Sequence, residues 1–367
     1  MPRGEADLRA LGARFVLPGR LVDARRHGNG HINDTYAATY DEAGRQVRYI
    51  HQRINDRVFR QPERLMENVA RVLAHAAARV RDLPDPSRRV LTLVAARDGG
   101  AWVRDDDGHL WRTYLFIEGT RTWDVVETPA HAEAAARAFG RFQQLLADLP
   151  GSRLHDTIAD FHNTRRRFDA LVSAVEADGE NRAAAARDAI DVAIAHGPDV
   201  DRLLDAAAAG DVPERVTHND TKVNNVLMDA VTGEALCVVD LDTTMPGLAA
   251  YDFGDMVRTA TNAAAEDEPD VTRVASRPEF FEAIARGYLA EAAGFLRPAE
   301  IDWLPFAGQL LALEQGLRFL TDHLRGDPYY RIHRPGQNLD RARAQFALMQ
   351  SIERQQDAFT AIVRRYA

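Results

Sequence analysis

The sequence predicts an α+β fold in two lobes, a small β-rich N-terminal lobe and a larger, mainly helical C-terminal lobe. Three observations carry this prediction. At 367 residues the chain exceeds what one hydrophobic core usually serves. Short alternating apolar runs, punctuated by Gly and Asp turns, are confined to roughly the first 117 residues. From Pro129 onward, Ala-rich segments with a helical apolar period dominate. The expected domains are therefore 1–117 and 118–367.

Residues 5–18 read as a short helix, followed by a strand, a turn and a second strand around 28–36. Residues 48–54 alternate as a strand ending in Gln52-Arg53, and Pro62 opens a helix over 63–79 whose Glu63 or Glu67 could pair with Arg53. Strands are expected at 90–96 and 101–104, flanking Asp98-Gly99-Gly100, and at 110–117 after the turn at 105–108. The last strand runs into Phe116-Ile117-Glu118-Gly119 and a polar stretch, which makes it the hinge candidate. Helices are expected at 129–148, 160–177, 181–195 and 199–209, and again near 277–293, 298–325 and 339–364. The alanine runs at 183–186 and 206–209 are helix-favouring composition and no repeat.

Between the two helical series lies the stretch with chemical content. His218, Asp220, Lys222 and Asn225 stand in the order H-x-D-x-K-x-x-N, the spacing of the kinase catalytic loop H-R-D-x-x-x-x-N with a lysine two residues past the aspartate. A substrate hydroxyl needs a carboxylate, Asp220, to orient it and take its proton, and Asn225 offers an amide oxygen to a metal ion. A second acidic ligand should return after a short hairpin. Val226–Met228 and Ala235–Val239 supply two strands around a turn containing Gly233, and Asp240 follows 20 residues after Asp220. Asp242 is expected to be at most an auxiliary ligand. Asp252-Phe253-Gly254 spells the kinase metal motif D-F-G, yet it lies 32 residues after Asp220, too far for that hairpin.

Of 46 Lys plus Arg residues, 45 are Arg and only Lys222 is Lys. A compact ammonium suits a transferring phosphate, and guanidinium is not its equivalent. Either the lysine serves the reaction beside Asp220, or it is a solvated loop residue.

These words, with 30–36 (Gly-His-Ile-Asn-Asp-Thr-Tyr), 52–55 (Gln-Arg-Ile-Asn), 218–227, 239–247, 251–255 and 318–324, resemble the aminoglycoside phosphotransferase superfamily of small-molecule kinases, and within it the N-acetylhexosamine 1-kinases. The resemblance implies a protein-kinase-like fold, ATP and Mg²⁺ as cofactors, a nucleotide between the lobes and a sugar acceptor against the helical lobe. It makes Asp220 and Lys222 catalytic, assigns Asn225, Asp240 and Asp242 to the metal, and gives Asp252, with His218, a structural role in anchoring the loop. On the nucleotide side it points to Gly28, Gly30, Asn33, Thr35, Gln52, Arg53, Phe116 and Glu118, with backbone groups near Phe116 to Glu118 meeting the adenine. The chain departs from the pattern here, because its N-terminal lobe has no lysine; Gln52 or Arg53 must serve, or the nucleotide is held differently. The Gly28–Gly30 turn is either a phosphate-covering loop or an ordinary hairpin turn.

The acceptor candidates are Arg318 and Asp322, four apart on one helix face, with His323, Asp327, Tyr329 and Tyr330 beyond them. An intrahelical ion pair with surface aromatics is the alternative. Phe161-His162-Asn163 with Arg165-Arg166-Arg167 is a second candidate. An acidic pocket would favour cationic aminoglycosides, and a mixed pocket with Arg318 a neutral sugar.

Net charge of −9 argues against a general nucleic-acid surface. The start has no apolar signal core and no run reaches the roughly 18 apolar residues of a membrane span, so a cytoplasmic protein without membrane or nucleic-acid partners is expected. Cys237, the single cysteine, excludes an intrachain disulfide and reads as a buried hydrophobe. The histidines form no H-E-x-x-H pair, and Asp, Asn and phosphate oxygens suit Mg²⁺. Oligomeric state is not legible.

Overall fold

The period-two runs of the first third assemble into one sheet in a computed structural model, which describes residues 5–28 and 32–367. After helix α1 (Glu5–Gly12) come strands β1 (Arg20–Arg26), β2 (Asp34–Glu42) and β3 (Arg45–Arg53), then helix α2 (Pro62–Val80) and strands β4 (Val103–Arg104) and β5 (Leu110–Leu115). The sheet is antiparallel in the order β1-β2-β3-β5-β4. Tyr36, Ala38 and Tyr40 alternate inward along β2 and join Phe15, Leu17, Tyr49 and Trp111 in one apolar cluster.

Two departures from the expected elements have local causes. Helix α1 stops at Gly12, because Phe15 bridges Ala96 and Val16 donates its N–H to the Ala95 carbonyl (2.8 Å). Residues 90–96 make no ladder. They are held by single bonds that alternate between Thr92 or Val94 with β5 and Ala95 or Ala96 with other loops.

The chain divides into two compact units, and the first contains residues up to Arg121 together with Asp148–Ala159 and Leu227–Met245. A single boundary at 117 does not describe this. Strand β6 (Thr120–Arg121) pairs with β8 (Val226–Asp229), which pairs with β9 (Ala235–Val238), so the hairpin after residue 225 belongs by its backbone bonding to the first unit.

The second unit is helical. It holds α3 (Pro129–Leu146), α4 (Thr164–Ala177), α5 (Arg187–Ala195), α6 (Arg202–Ala208), strand β7 (Arg215–Thr217), which pairs with β10 (Met245–Gly247), and α7 (Ala249–Ala260), α8 (Pro278–Ala292), α9 (Pro298–Leu324), α10 (Gln337–Glu353) and α11 (Gln356–Tyr366). Helix α9 is apolar on most sides and is packed against α4, α7 and α10, while α3 lies along α8. Helix α4 starts four residues later than the sequence suggests, since Asn163 caps it by accepting the Arg166 N–H. The last predicted helix is two, parted where Gln355 turns its amide to the carbonyls of Ser276 and Ser351 (both 3.0 Å). Among the described residues no helix is long and apolar enough to cross a membrane.

Candidate active site

Strand β7 delivers the chain into the loop 218–225, and buried polar groups fix that loop from beneath. The Asp252 carboxylate, wholly buried on the first turn of α7, accepts the backbone N–H of His218 (2.9 Å) and of Asn219 (2.7 Å) and the side-chain amide of Gln143 (2.6 Å). Tyr288 in turn donates to Gln143 (2.5 Å), and Thr221 donates its hydroxyl to the Asp252 carbonyl (2.6 Å). Each buried N–H left without such a partner would cost about 1–3 kcal/mol. The loop needs the help, because Asn219 sits at φ +65°, a left-handed conformation that asparagine tolerates best after glycine. His218 lies edge-on to Phe139 and Phe142.

The other letters of the D-F-G sequence serve packing in the same helix. Phe253 is buried against Phe281 and Tyr288, and a Cβ on Gly254 would come within 2.4 Å of the Ala307 carbonyl, so only glycine lets α7 approach α9 this closely.

Asp220 projects from the anchored loop with Lys222 Nζ 2.8 Å from one carboxylate oxygen. Asn225 donates its amide to the other (3.2 Å) and to the Asp220 carbonyl (2.9 Å), which leaves the Asn225 amide oxygen on the opposite side. Burial disfavours the Asp220 carboxylate, but Lys222, His218 and Arg258 outweigh it and hold its pKa below the ordinary carboxylate value. Lys222 is raised by Asp220 itself and stays an ammonium.

Next to this loop the second unit carries a guanidinium and aromatic cluster. His162 donates from Nε2 to the Asn219 carbonyl (3.0 Å), and its Nδ1 bonds Glu314 (2.8 Å), so the residue beside Asp220 is tied to α9. One turn on, Arg318 faces the rings of Phe161 (5.8 Å) and Tyr330 (5.6 Å) and donates a hydrogen bond to the Gln315 amide oxygen (2.9 Å). Gln315 also donates to the Tyr330 hydroxyl (3.2 Å).

Asp322 does not pair with Arg318. It accepts the backbone N–H of Tyr329 and of Tyr330 and the amide of Asn338 (2.9, 2.9 and 3.0 Å), and so shapes the loop that carries the two tyrosines. Arg165 is spent on Asp201, Arg166 on Asp160, and Arg167 on the carbonyls of Asp160 and Phe161. Of the second acceptor candidate, Phe161 and His162 reach the cluster. Glu314 lies outside the motif-based candidates, and its one signal in the sequence is a Glu within the apolar run 310–317.

In the first unit the residues expected at the nucleotide are mostly engaged with one another. Gly28 lies in the turn after β1, and Gly30 lies outside the described residues. Asn33 donates to Asp242 (2.5 Å) and accepts the Asn55 N–H (2.9 Å). Gln52 donates to the Thr35 hydroxyl (2.9 Å). Arg53 is paired with Asp34 directly across from it on β2 (2.5 Å), while Glu63 pairs with Arg104 and Glu67 with His155, so the expected link from Arg53 to α2 is absent. Glu118 pairs with Arg48, whose guanidinium stacks on Phe116 (3.9 Å). The Phe116 N–H is taken by the Arg48 carbonyl (3.0 Å), and the Ile117 carbonyl accepts the Thr120 hydroxyl (2.8 Å) on one of its two lone pairs.

Asp240 and Asp242 stand on the turn after β9, and the structure uses them differently. Asp240 is exposed, at φ +59° and ψ +57°. Asp242 is buried with one oxygen 2.5 Å from Arg112 and the other accepting from Asn33. The Arg112 contact is an ion pair without hydrogen-bond geometry, so this buried Asp242 oxygen has no hydrogen-bond partner among the described residues. Among the described residues no three His, Cys, Asp or Glu side chains gather into a metal cage. An amide oxygen such as that of Asn225 and an exposed carboxylate such as that of Asp240 are each hard donors of the kind Mg²⁺ takes.

A model of the phosphotransferase enzyme family (APH) matches residues 23–301. Among solved structures, a microcompartment-associated aminopropanol kinase is similar at 18% identity with a TM-score of 0.59, over 96% of this chain and 98% of that one. An aminoglycoside phosphotransferase from Alicyclobacillus acidocaldarius is similar at 14% and 0.57, over 100% and 96%. A spectinomycin phosphotransferase in complex with ADP and spectinomycin is similar at 11% and 0.57, over 97% and 99%. At these identities the likeness establishes the kinase-like fold alone.

Proposed function

Because the chain belongs to the phosphotransferase enzyme family, we propose that it transfers the γ-phosphoryl group of ATP to the anomeric hydroxyl of an N-acetylhexosamine. The observation that carries the transfer chemistry is the anchored loop: Asp220 is held ionised beside Lys222 and Asn225 by an apparatus that has no other evident use. In this reading Asp220 orients the acceptor hydroxyl and takes its proton, while Lys222 meets the charge that develops on the transferring group. Asn225 and Asp240 are the proposed oxygen ligands of magnesium, which when bound draws the phosphate oxygens together and offsets their charge.

The choice of acceptor rests on the cluster around Arg318. Glu314 there is bonded by His162 and Thr164 and one oxygen of Asp255 by Arg258, while Glu266 makes only longer ion pairs with Arg258 and Arg341 (3.6 and 3.8 Å). The Arg318 guanidinium flanked by Phe161 and Tyr330 supports a neutral polyhydroxylated ring over an aminoglycoside or amino alcohol, because an ammonium beside it would face a like charge.

The test is ADP release by purified protein with Mg-ATP over a panel of sugars, aminoglycosides and amino alcohols, with ³¹P NMR of the product. An N-acetylhexosamine 1-phosphate is expected. Phosphate on the 6-position, turnover confined to cationic acceptors, or ATP binding without turnover would each reject the reading.

A further inference from the structure

The first unit has no lysine, but it has one buried cation that neither motif nor spacing singled out. Arg112 lies on β5 in register with Gln52 of β3, the strand end where kinases carry the phosphate-pairing lysine. It is 1% exposed, and its guanidinium is held on three sides. Nε and Nη2 both donate to the Gln52 amide oxygen (2.9 and 2.6 Å), and Nη2 also reaches Asp242 (2.5 Å). Helix α2 offers it only the Met66 sulfur (3.7 Å), since the acids of that helix, Glu63 and Glu67, are paired with Arg104 and His155. The counter-charge comes instead from the turn after β9.

That turn is the element that matters. Asp240 is a non-glycine residue in the left-handed region, a conformation that persists only when its surroundings impose it. Two residues on, Asp242 is clamped by Arg112 on one oxygen and by Asn33 on the other, and Asn33 is fixed to the Asn55 N–H. The clamp therefore joins β5, the segment after the first turn, and the Asp240 turn within one unit.

We propose that Arg112 is a positioning residue for metal–nucleotide binding: its ion pair with Asp242 fixes the turn that presents the Asp240 carboxylate. The proposal rests on the reading of this protein as an ATP-dependent phosphotransferase. In place of a lysine on β3 paired with a glutamate of the following helix, the charge pair is Arg112 with Asp242, and the strand residue Gln52 is its hydrogen-bond support.

The experiment is calorimetric titration with ADP, with magnesium and with EDTA, on wild type, Arg112→Met, Asp242→Asn and the double variant, each with its melting curve. Removing one partner of a buried pair leaves an unpaired charge and can unfold the chain, whereas removing both does not, so the double variant carries the test if a single one fails to fold. Supporting results from second-shell behaviour are a roughly 10- to 100-fold weaker Mg-ADP affinity in the folded double variant, a higher magnesium concentration for half-saturation, and metal-free ADP affinity close to wild type. Wild-type magnesium dependence in that variant, or equal loss with and without magnesium, overturns the proposal. Absence of ADP binding in the wild type instead sinks the phosphotransferase reading on which it stands.

Discussion

At the scale of single residues, the site separates groups that would do chemistry from groups that hold them. Asp220→Ala should lower turnover by about 10²- to 10⁴-fold while leaving ATP affinity nearly unchanged, because its proposed role is to orient an acceptor hydroxyl and not to hold the nucleotide. Lys222→Arg should also lose rate despite keeping the charge, since a guanidinium is larger and differently hydrated; steady-state kinetics beside ATP binding check both, and wild-type turnover in Lys222→Arg would make the lone lysine incidental. Asp240 and Asp252 form the complementary pair. Asp240→Asn should abolish magnesium-dependent turnover with the melting temperature intact. Asp252→Asn should act through stability, at about 1–3 kcal/mol for each weakened bond to His218, Asn219 or Gln143. Turnover against magnesium concentration, measured with melting curves, decides between them; a metal defect confined to Asp252→Asn would reverse the assignment. The D-F-G letters illustrate how far residue identity reaches. Its aspartate, phenylalanine and glycine here bond a loop, fill a core and admit a neighbouring helix.

At the scale of elements, one buried pair ties the catalytic loop to α9 and sets a pH dependence. Burial works against a charged His162, but Glu314 at 2.8 Å more than offsets it, so the imidazole titrates above its ordinary 6.5, and Glu314 titrates below its ordinary 4.5. A raised histidine contributes stability that is complete below its unfolded value and is lost as pH rises through the folded one. A depressed carboxylate contributes above its unfolded value and loses its contribution as pH falls through the folded one. The pair is thus fully stabilising between about pH 4.5 and 6.5. The melting-temperature gap between wild type and Glu314→Gln should be widest in that window and shrink as pH rises beyond it; a gap that widens toward alkaline pH would show that His162 is neutral.

At the scale of the molecule, the first unit draws on three separated stretches of chain. A fragment ending at residue 121 lacks β8 and β9, which extend from β6, and lacks Asp242, the partner of buried Arg112. Such a fragment should fail to fold, shown by circular dichroism and by exchange of its amide protons; a cooperative melt from the isolated fragment would refute it. The division at 117, natural to a linear reading, misses this because backbone pairing between residues more than 100 apart leaves no mark in local composition.

What the sequence determined by itself is the part written in local spacing. The helices after residue 129, the strands before 117, the H-x-D-x-K-x-x-N loop and the hairpin that follows it all rest on neighbours within a few residues, where periodicity, turn residues and motif spacing act. The rest was decided by tertiary packing. Arg112 reads in the sequence as an ordinary strand arginine between Trp111 and Thr113; only assembly buries it and delivers Asp242 as its counter-ion. Asp322, placed one helical turn from Arg318 by the pattern, is claimed by the N–H groups of a loop that folds back on it. Residues 90–96 have strand composition but no continuous partner. In each case the deciding energy is the cost of leaving a buried charge or N–H unpaired, and that cost is set by which distant groups arrive beside it, which local sequence does not encode.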